Sequence, residues 1–444
     1  MKKIAIVIPP ITDFYYTPHR GAFLGARYVQ RILEKRGFTC KLFDFPNKKS
    51  KQTKLPEELN YLKPYIKNND SYFFKHYKRF GYSFQKCKEE IKSFSPDAIL
   101  LSLFAFAYSK EFLDFATYLK KELNSIPLFA GGNGISCFPE YFNKTDLFKA
   151  VFTGEIETIE EEAVKAINGK TEGIIQPKRF TEGEELDFIL TPTLSTKKTN
   201  YYSAILSRGC HKKCSFCSNF IVQGRKFRTV PLKKIERELK KTTLTKANIN
   251  FEDDNILYAK EYLFEVLNII KKSAPDTTFS FENGIDYTFL EPETVEKLVN
   301  LGVKQFNLSI GHISKEILNK NKRPIYIEKL IETLEILKKH NIPAIVYFIT
   351  GLKDDSFQKT LETIEFLKKL PCLIGISPFY PVPGISGFEN REIFEKKSPI
   401  LTKGSSFYPW NKSLTTEEMV KAFKIARKIN LIKRKERNNY NLKQ

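Results

Sequence analysis

The chain has 444 residues, 41% of them hydrophobic and 14% aromatic, enough for two or three folded domains with a sizeable core. No apolar run reaches the roughly 18 residues of a membrane span. The short apolar stretch after Met1 is interrupted by Pro9-Pro10, so it reads as a first strand rather than a signal peptide, and a cytoplasmic protein is expected. The formal charge of +22 is spread rather than focused. Residues 1–100 carry 20 Lys/Arg against 9 Asp/Glu, and residues 421–444 carry 9 against one. A Lys-rich solvated surface accounts for this, and no nucleic-acid partner stands out. The basic tail 421–437 has the pattern of an amphipathic helix packed on the body. Seven cysteines, three crowded and four scattered, argue against a disulfide framework and for one metal site in a reducing compartment. Cys40, Cys87, Cys137 and Cys372 lack metal-like spacing and read as small buried residues.

Strand and helix patterns alternate from the first residues, which predicts a parallel sheet. Strands are expected over 3–8, 39–45, 98–103, 126–130 and 150–153. Helices are expected over 21–36, 84–94, 110–123 and 159–167. Residues 48–82, rich in Lys, Tyr and Phe, read as an insertion with short helices. A polar connection over 169–200 marks a domain boundary after a first domain of 1–168. A second alternating series then runs through strands at 201–206, 249–251, 278–281, 305–309, 344–349 and 374–377. Helices at 232–242, 262–273, 293–301, 326–340 and 356–370 separate them. Strict alternation predicts an open (β/α)6 partial TIM barrel over 201–385, its sixth helix falling in a helical C-terminal extension, 386–444. Functional residues are expected at the C-terminal strand ends. The fold class is thus α/β: a doubly wound Rossmann-like domain ahead of a partial barrel.

The most specific motif follows the first strand of this second series: Ser207-Arg-Gly-Cys210-His-Lys-Lys-Cys214-Ser-Phe-Cys217. Three thiolates spaced CxxxCxxC can hold three irons of a [4Fe–4S] cluster and leave the fourth open, unlike a four-cysteine ferredoxin site. Zinc is the competing reading, but it needs a fourth ligand. His211 stands next to Cys210, where simultaneous ligation is strained. The motif resembles that of the radical S-adenosylmethionine (SAM) superfamily. The resemblance assigns Cys210, Cys214 and Cys217 to the cluster and matches Phe216 to the aromatic the family prefers before the last cysteine. It implies that the open iron chelates SAM, and that one electron then yields a 5′-deoxyadenosyl radical.

Further stretches resemble that superfamily's SAM-binding strand ends. Asn250-Phe-Glu-Asp-Asp-Asn255 matches the acidic motif that holds the SAM ammonium, with Glu252, Asp253 and Asp254 as candidates. Glu282-Asn283-Gly284 closes the third strand. Ser309 ends the fourth and would face the ribose or carboxylate. Arg323 resembles an arginine that meets the carboxylate, for which a guanidinium fork is suited. Gly351 lies in a stretch like the one that lines the adenine, where a glycine lets the backbone approach. Tyr380, after the sixth strand, is the candidate on the substrate side.

The first domain resembles the cobalamin-binding domain fused ahead of many radical SAM enzymes. Pro18-His-Arg-Gly-Ala-Phe-Leu-Gly25, Leu100-Leu-Ser-Leu-Phe104, Phe129-Ala-Gly-Gly-Asn-Gly134 and Phe152-Thr-Gly-Glu-Ile-Glu157 occur in its order. A doubly wound sheet receives a flat cofactor at its C-terminal edge. Ser102, Gly131 and Gly132 would therefore meet the nucleotide tail or corrin edge. The Asp-x-His-x-x-Gly motif of other cobalamin proteins is absent, and His19 and His76 are lone histidines. A domain that has lost the cofactor is the alternative. Together the resemblances imply a cobalamin-dependent radical SAM methyltransferase acting on an unactivated carbon, with a reductant such as flavodoxin or ferredoxin and a small-molecule or lipid substrate. The alternatives are a non-methylating rearrangement or cyclisation, a methylthiotransferase using Cys40, Cys87 and Cys137 for a second cluster, or a non-catalytic corrinoid or zinc protein.

Overall fold

The computed structural model describes residues 1–17, 21–67 and 73–441, with side chains to 436. His19 and Pro18 lie outside the described residues. Contacts divide the chain into two units. The first comprises Met1–Thr193, Cys217–Pro231 and Pro381–Ser406; the second comprises Leu194–Phe216, Leu232–Tyr380 and Phe407–Gln444.

The first unit is built on β1 (Lys3–Ile8), β2 (Thr39–Asp44), β3 (Ala98–Ser102), β4 (Leu128–Gly131), β5 (Ala150–Phe152) and β6 (Gly173–Ile175). They lie in the order β2-β1-β3-β4-β5-β6 and every adjacent pair is parallel. The apolar run of β1 is buried from Ile4 to Ile8, as a central parallel strand covered on both faces must be. Helices Leu24–Lys35, Phe84–Ser93, Ser109–Glu122 and Glu160–Ile167 alternate with the strands. The order is the flavodoxin-like one, with its switch point between β1 and β3.

The insertion differs from the expected short helices. It contributes Ser50–Gln52 and Lys78–Phe80, which with Ile11–Asp13 form an antiparallel sheet, and a 3-10 helix at Glu57–Tyr65. Strands of three residues are too short to leave a period-2 signal, which is why they were not foreseen. Lys403 closes this region from the far end of the chain. Its ammonium, 1% exposed, donates to Thr12 O (2.7 Å), Tyr77 Oη (3.1 Å) and Glu111 Oε1 (2.6 Å). Such a buried cation persists because carboxylate and carbonyl partners replace its hydration.

The second unit has a seven-stranded sheet in sequence order: β7 (Thr191–Ser195), β8 (Asn200–Ala204), β9 (Ala247–Phe251), β10 (Thr278–Ile285), β11 (Val303–Gly311), β12 (Ala344–Thr350) and β13 (Leu373–Pro378). The six strands β8 to β13 are parallel throughout. The five expected helices appear at Leu232–Leu239, Lys260–Ser273, Pro292–Asn300, Ile327–Lys339 and Phe357–Lys368, with a short extra one at Lys315–Lys320. Helix Thr416–Asn441 covers the free edge of β13. Asn430 mimics a strand there: its Oδ1 accepts from Ile374 N (2.8 Å) and its Nδ2 donates to Ile374 O (2.9 Å). Lys433 donates to the carbonyls of Leu367, Leu370 and Cys372. An edge so capped cannot template pairing with another chain.

The segments expected as linker and extension are distributed differently. Within 169–200 lie β6 and the edge strand β7. Between them Leu186 and Phe188 are fully buried, and Asp187 pairs with Lys35 at 2.9 Å. Residues 386–406 belong to the first unit and 407–441 to the second. A polar composition concealed these short buried anchors.

Candidate active site

Side chains following β9 and β10, together with Asn321 at the end of helix Lys315–Lys320 and Arg323 beyond it, pin the loop bearing Cys210 and Cys214. Asp253, just past β9, accepts from Leu206 N (3.1 Å) and from the Ser207 hydroxyl, which sets the exit of the chain into the loop. Burial pushes this carboxyl up to about 7, against the pull of those hydrogen bonds. Lys212, between the first two cysteines, is ion-paired with Asp286, which follows β10. Burial alone would raise the Asp286 carboxyl, but the Lys212 charge and hydrogen bond bring it below its ordinary value. Ser215 binds Asn321 twice, hydroxyl to Oδ1 and N–H to carbonyl (3.2 Å). Arg323 Nη1 donates to Cys214 Sγ at 3.7 Å, and Nη2 donates to Ser309 O.

Cys214 is buried, Cys210 half-buried and Cys217 exposed, and Phe216 is half-buried. Burial raises the Cys210 thiol. The nearby Asp254 carboxylate adds to that, while the Lys212 backbone N–H opposes it. Iron would have to displace that proton. His211 is exposed, with its ring 4.4 Å from that of Tyr258, so it turns to an aromatic neighbour. Among the described residues no three His, Cys, Asp or Glu side chains converge as ligands of a single metal ion. The CxxxCxxC motif itself supplies three soft thiols, the number that an iron–sulfur cubane with one open corner takes from a protein.

The acidic motif divides by role. Asp253 is internal, tied to the backbone of the loop entry, and is not available to a ligand. Asp254 is exposed and Glu252 half-buried. Asn283 is exposed and its Nδ2 donates to Glu252 O (3.1 Å), linking the ends of β9 and β10. The β10 end is held further by two buried amides. Asn250 Oδ1 accepts from Glu282 N (2.8 Å) and Asn307 Nδ2 donates to Glu282 O (3.0 Å). Ser309 is half-buried on β11. Gly351 (φ +80°) ends β12, with its N–H donating to Asp355 (2.8 Å) and its carbonyl accepting from Asn411 (3.1 Å). The arginine expected at a SAM carboxylate thus reaches the cysteine loop here. Tyr380 is 43% exposed and makes no hydrogen bond among the described residues.

Sequence reasoning missed Asp286, Asn321 and Asn255. Asn255 is 3% exposed, and neither its Oδ1 nor its Nδ2 finds a protein partner. A buried amide left unmatched at the end of the acidic motif suits a polar ligand or an ordered water there. Its only signal in sequence was its place after Asp254.

In the first unit, Ser102 and Gly131 are paired across the ends of β3 and β4. Gly132 is exposed at φ +107°, and a Cβ there would come within 2.5 Å of Leu103 O. Gly134 N donates to that same carbonyl (2.9 Å), so the glycine turn folds down on the chain leaving β3. A narrow pocket at the β1/β3 switch point is lined by residues 8–11, Ser102, Leu103, Phe104, Tyr108 and Phe112. Its lining is apolar apart from Ser102 and Tyr108. His76 is half-buried and lies on the inserted segment. Cys87 and Cys137 are buried, Cys40 half-buried, and burial pushes all three thiols up to about 12. Among the described residues they form no group of metal ligands. Cys372 is buried too, its thiol pushed up to about 11.

The family model of the radical SAM superfamily matches residues 204–367. Among curated relatives, bacteriochlorophyllide d C-12(1)-methyltransferase of Chlorobaculum tepidum is 26% identical over 259 residues, 55% of this chain and 55% of that protein. Hopanoid C-3 methylase of Methylococcus capsulatus is 22% identical over 327 residues, 68% of this chain and 63% of that protein. The chain thus matches less than two-thirds of the length of either. Among solved structures, the radical SAM methyltransferase TsrM from Kitasatospora setae, with cobalamin and a [4Fe–4S] cluster bound, superposes with a TM-score of 0.62. That match is at 14% identity over 88% of this chain and 75% of that one, a likeness of fold.

Residues 204–367 are a radical SAM domain, and the thiol loop and strand ends described above lie within or beside it. The domain ahead of it has a Rossmann-like parallel sheet, and the likeness of fold to TsrM extends over 88% of this chain. No helix among the described residues is long and apolar enough to cross a membrane.

Proposed function

We propose that this protein is a cytoplasmic, cobalamin-dependent radical SAM methyltransferase that methylates an unactivated carbon. The observation that carries it is the CxxxCxxC motif, whose stretch bearing Cys210 and Cys214 is pinned by Asp253, Asp286 and Asn321. When bound, the cluster and SAM supply a carbon-centred oxidant and cobalamin supplies the methyl group, the hard chemistry that cofactors bring to a protein scaffold. Cys210, Cys214 and Cys217 would hold the cluster. Arg323 donates to the Cys214 sulfur at 3.7 Å and to the Ser309 carbonyl, which ties the cysteine loop to β11. Glu252, Asp254, Asn283 and Asn255 offer carboxylate and amide groups to the SAM ammonium and hydroxyls. Ser309 would present its hydroxyl near the end of β11, and Gly351, just past β12, a position without a side chain. Ser102, Gly131 and Gly132 would receive the corrinoid at the sheet edge, beside the apolar switch-point pocket. Tyr380, after β13, would meet substrate. Two relatives named as carbon methylating enzymes favour methyl transfer over rearrangement.

Anaerobic reconstitution with iron, sulfide and hydroxocobalamin, followed by incubation with dithionite and methyl-labelled SAM, tests the proposal. Optical bands of cluster and corrinoid together with 5′-deoxyadenosine formation are expected. A tetrahedral zinc centre with no SAM cleavage would sink it. Deoxyadenosine formed without corrinoid uptake would transfer the assignment to a non-methylating radical enzyme.

A further inference from the structure

Helix Thr416–Asn441 has two faces, and the fold uses one of them. Met419, Ala422, Ala426 and Ile429 are buried, while Asn430 and Lys433 cap the edge of β13. The opposite face carries Arg427, Lys428, Leu431, Ile432, Arg434 and Lys435, all exposed. At about 100° per residue these six fall within about 160° of the helix circumference. Leu431 is 53% exposed and Ile432 49%. The first has Arg427, Arg434 and Lys435 one turn away, and the second has Lys428 and Lys435, so cations frame both aliphatic side chains. None of the four cations makes an ion pair or hydrogen bond among the described residues. This is not the general condition of the unit's lysines. Lys320 meets Glu316 and Asp354, Lys359 meets Glu316, and Lys368 meets Glu365. Residues 421–436, by contrast, hold seven Lys/Arg against Glu436 alone.

We propose that this outer face docks the protein reversibly on an anionic lipid bilayer surface. A cluster of four to eight Lys/Arg on an amphipathic helix is attracted to anionic headgroups, each cation within reach of the surface adding about 1 kcal/mol. Leu431 and Ile432 project between those cations and would enter the boundary between headgroups and acyl chains, where their apolar surface leaves water. The lysine and arginine stems can lie along the same boundary with their charges at the phosphates. A bilayer therefore satisfies both halves of the pattern at once. A nucleic acid would satisfy only the charge. The face has no aromatic side chain on which a base could stack, and it would leave two aliphatic side chains against phosphate. The inference concerns residues outside the cysteine loop and the strand ends, and it holds whether or not the radical SAM reading does.

The test is co-sedimentation of the full chain with vesicles, either of phosphatidylcholine alone or of a two-to-one mixture of phosphatidylcholine and phosphatidylglycerol. The wild-type protein should partition onto the mixed vesicles, not onto the neutral ones, and should be released as salt is raised. The double variant Arg434→Glu/Lys435→Glu should lower the partition coefficient by roughly tenfold or more. Leu431→Ser/Ile432→Ser should lower it by roughly tenfold while keeping the salt dependence. Both variants leave Asn430 and Lys433 in place, so their melting temperatures should match wild type, which separates lost docking from lost folding. Failure of the wild-type chain to bind the mixed vesicles at low salt would overturn the proposal, as would equal binding to neutral vesicles or wild-type partition by both variants. A dimer in sedimentation velocity that Leu431→Ser/Ile432→Ser abolishes would assign the face to a second copy of this chain instead. Binding of mixed-sequence RNA that Arg434→Glu/Lys435→Glu abolishes, without vesicle binding, would assign it to nucleic acid.

Discussion

Arg228 and Glu155 form a salt bridge of 2.9 Å with only 2% of either side chain exposed. Both residues lie in the first unit, although 73 positions separate them. Arg228 Nη1 also donates to Thr181 O (2.7 Å), and Glu155 accepts from Thr181 N (2.8 Å). The pair fastens the segment Cys217–Pro231, which begins at the third cysteine, to the end of the parallel sheet.

Breaking that pair should therefore be expensive. Arg228→Met alone leaves a buried carboxylate uncompensated and should cost about 3–5 kcal/mol. The double variant Arg228→Met/Glu155→Leu should recover most of the loss, since neither charge then remains in the interior. Chemical denaturation of the three proteins checks this; equal losses in single and double variants would contradict it.

Removing any one of Cys210, Cys214 and Cys217 by alanine substitution should abolish iron retention and SAM cleavage while leaving the secondary structure by circular dichroism unchanged. Cys40→Ala, Cys87→Ala and Cys137→Ala should keep full iron content, because their thiols are raised to about 12 by burial and serve packing. Iron and sulfide analysis after anaerobic purification separates the two sets.

Asp253 makes stability pH-dependent in a definite sense. Its carboxyl titrates near 7 in the folded chain, against an ordinary value of 3.8. Between those values the unfolded chain has lost the proton and the folded chain retains it. The stabilisation is thus complete below about pH 4 and is lost as pH rises through 7, by at most about 1.4 kcal/mol per pH unit. Asp253→Asn should flatten this part of the profile, measurable as the melting temperature between pH 5 and 7.5.

Gly132→Ala would force a Cβ against Leu103 O at a backbone angle that L-residues seldom adopt. A loss on the order of 1–3 kcal/mol is expected. Corrinoid binding, read from the visible spectrum after hydroxocobalamin loading and desalting, should weaken as well. Unchanged uptake would remove the glycine turn from the proposed cofactor edge.

The strand and helix alternation, the six parallel barrel strands and the three-thiol loop were legible in the amino-acid order because each is written in neighbouring residues. Burial imposes periods of two or 3.6, and cluster chemistry imposes a fixed spacing. The partners that hold the loop were not legible. Lys212 meets Asp286 74 positions away and Ser215 meets Asn321 106 positions away. No local pattern announces such pairs. The same applies to the destination of Cys217–Pro231 and Pro381–Ser406, which leave the barrel series to join the first unit. Linear order could assign Asp253 to a ligand; only folding revealed that its carboxylate is taken up by Leu206 and Ser207. Side chains distant along the chain become partners only when the backbone has closed the loops between them, and that is a property of the whole packing.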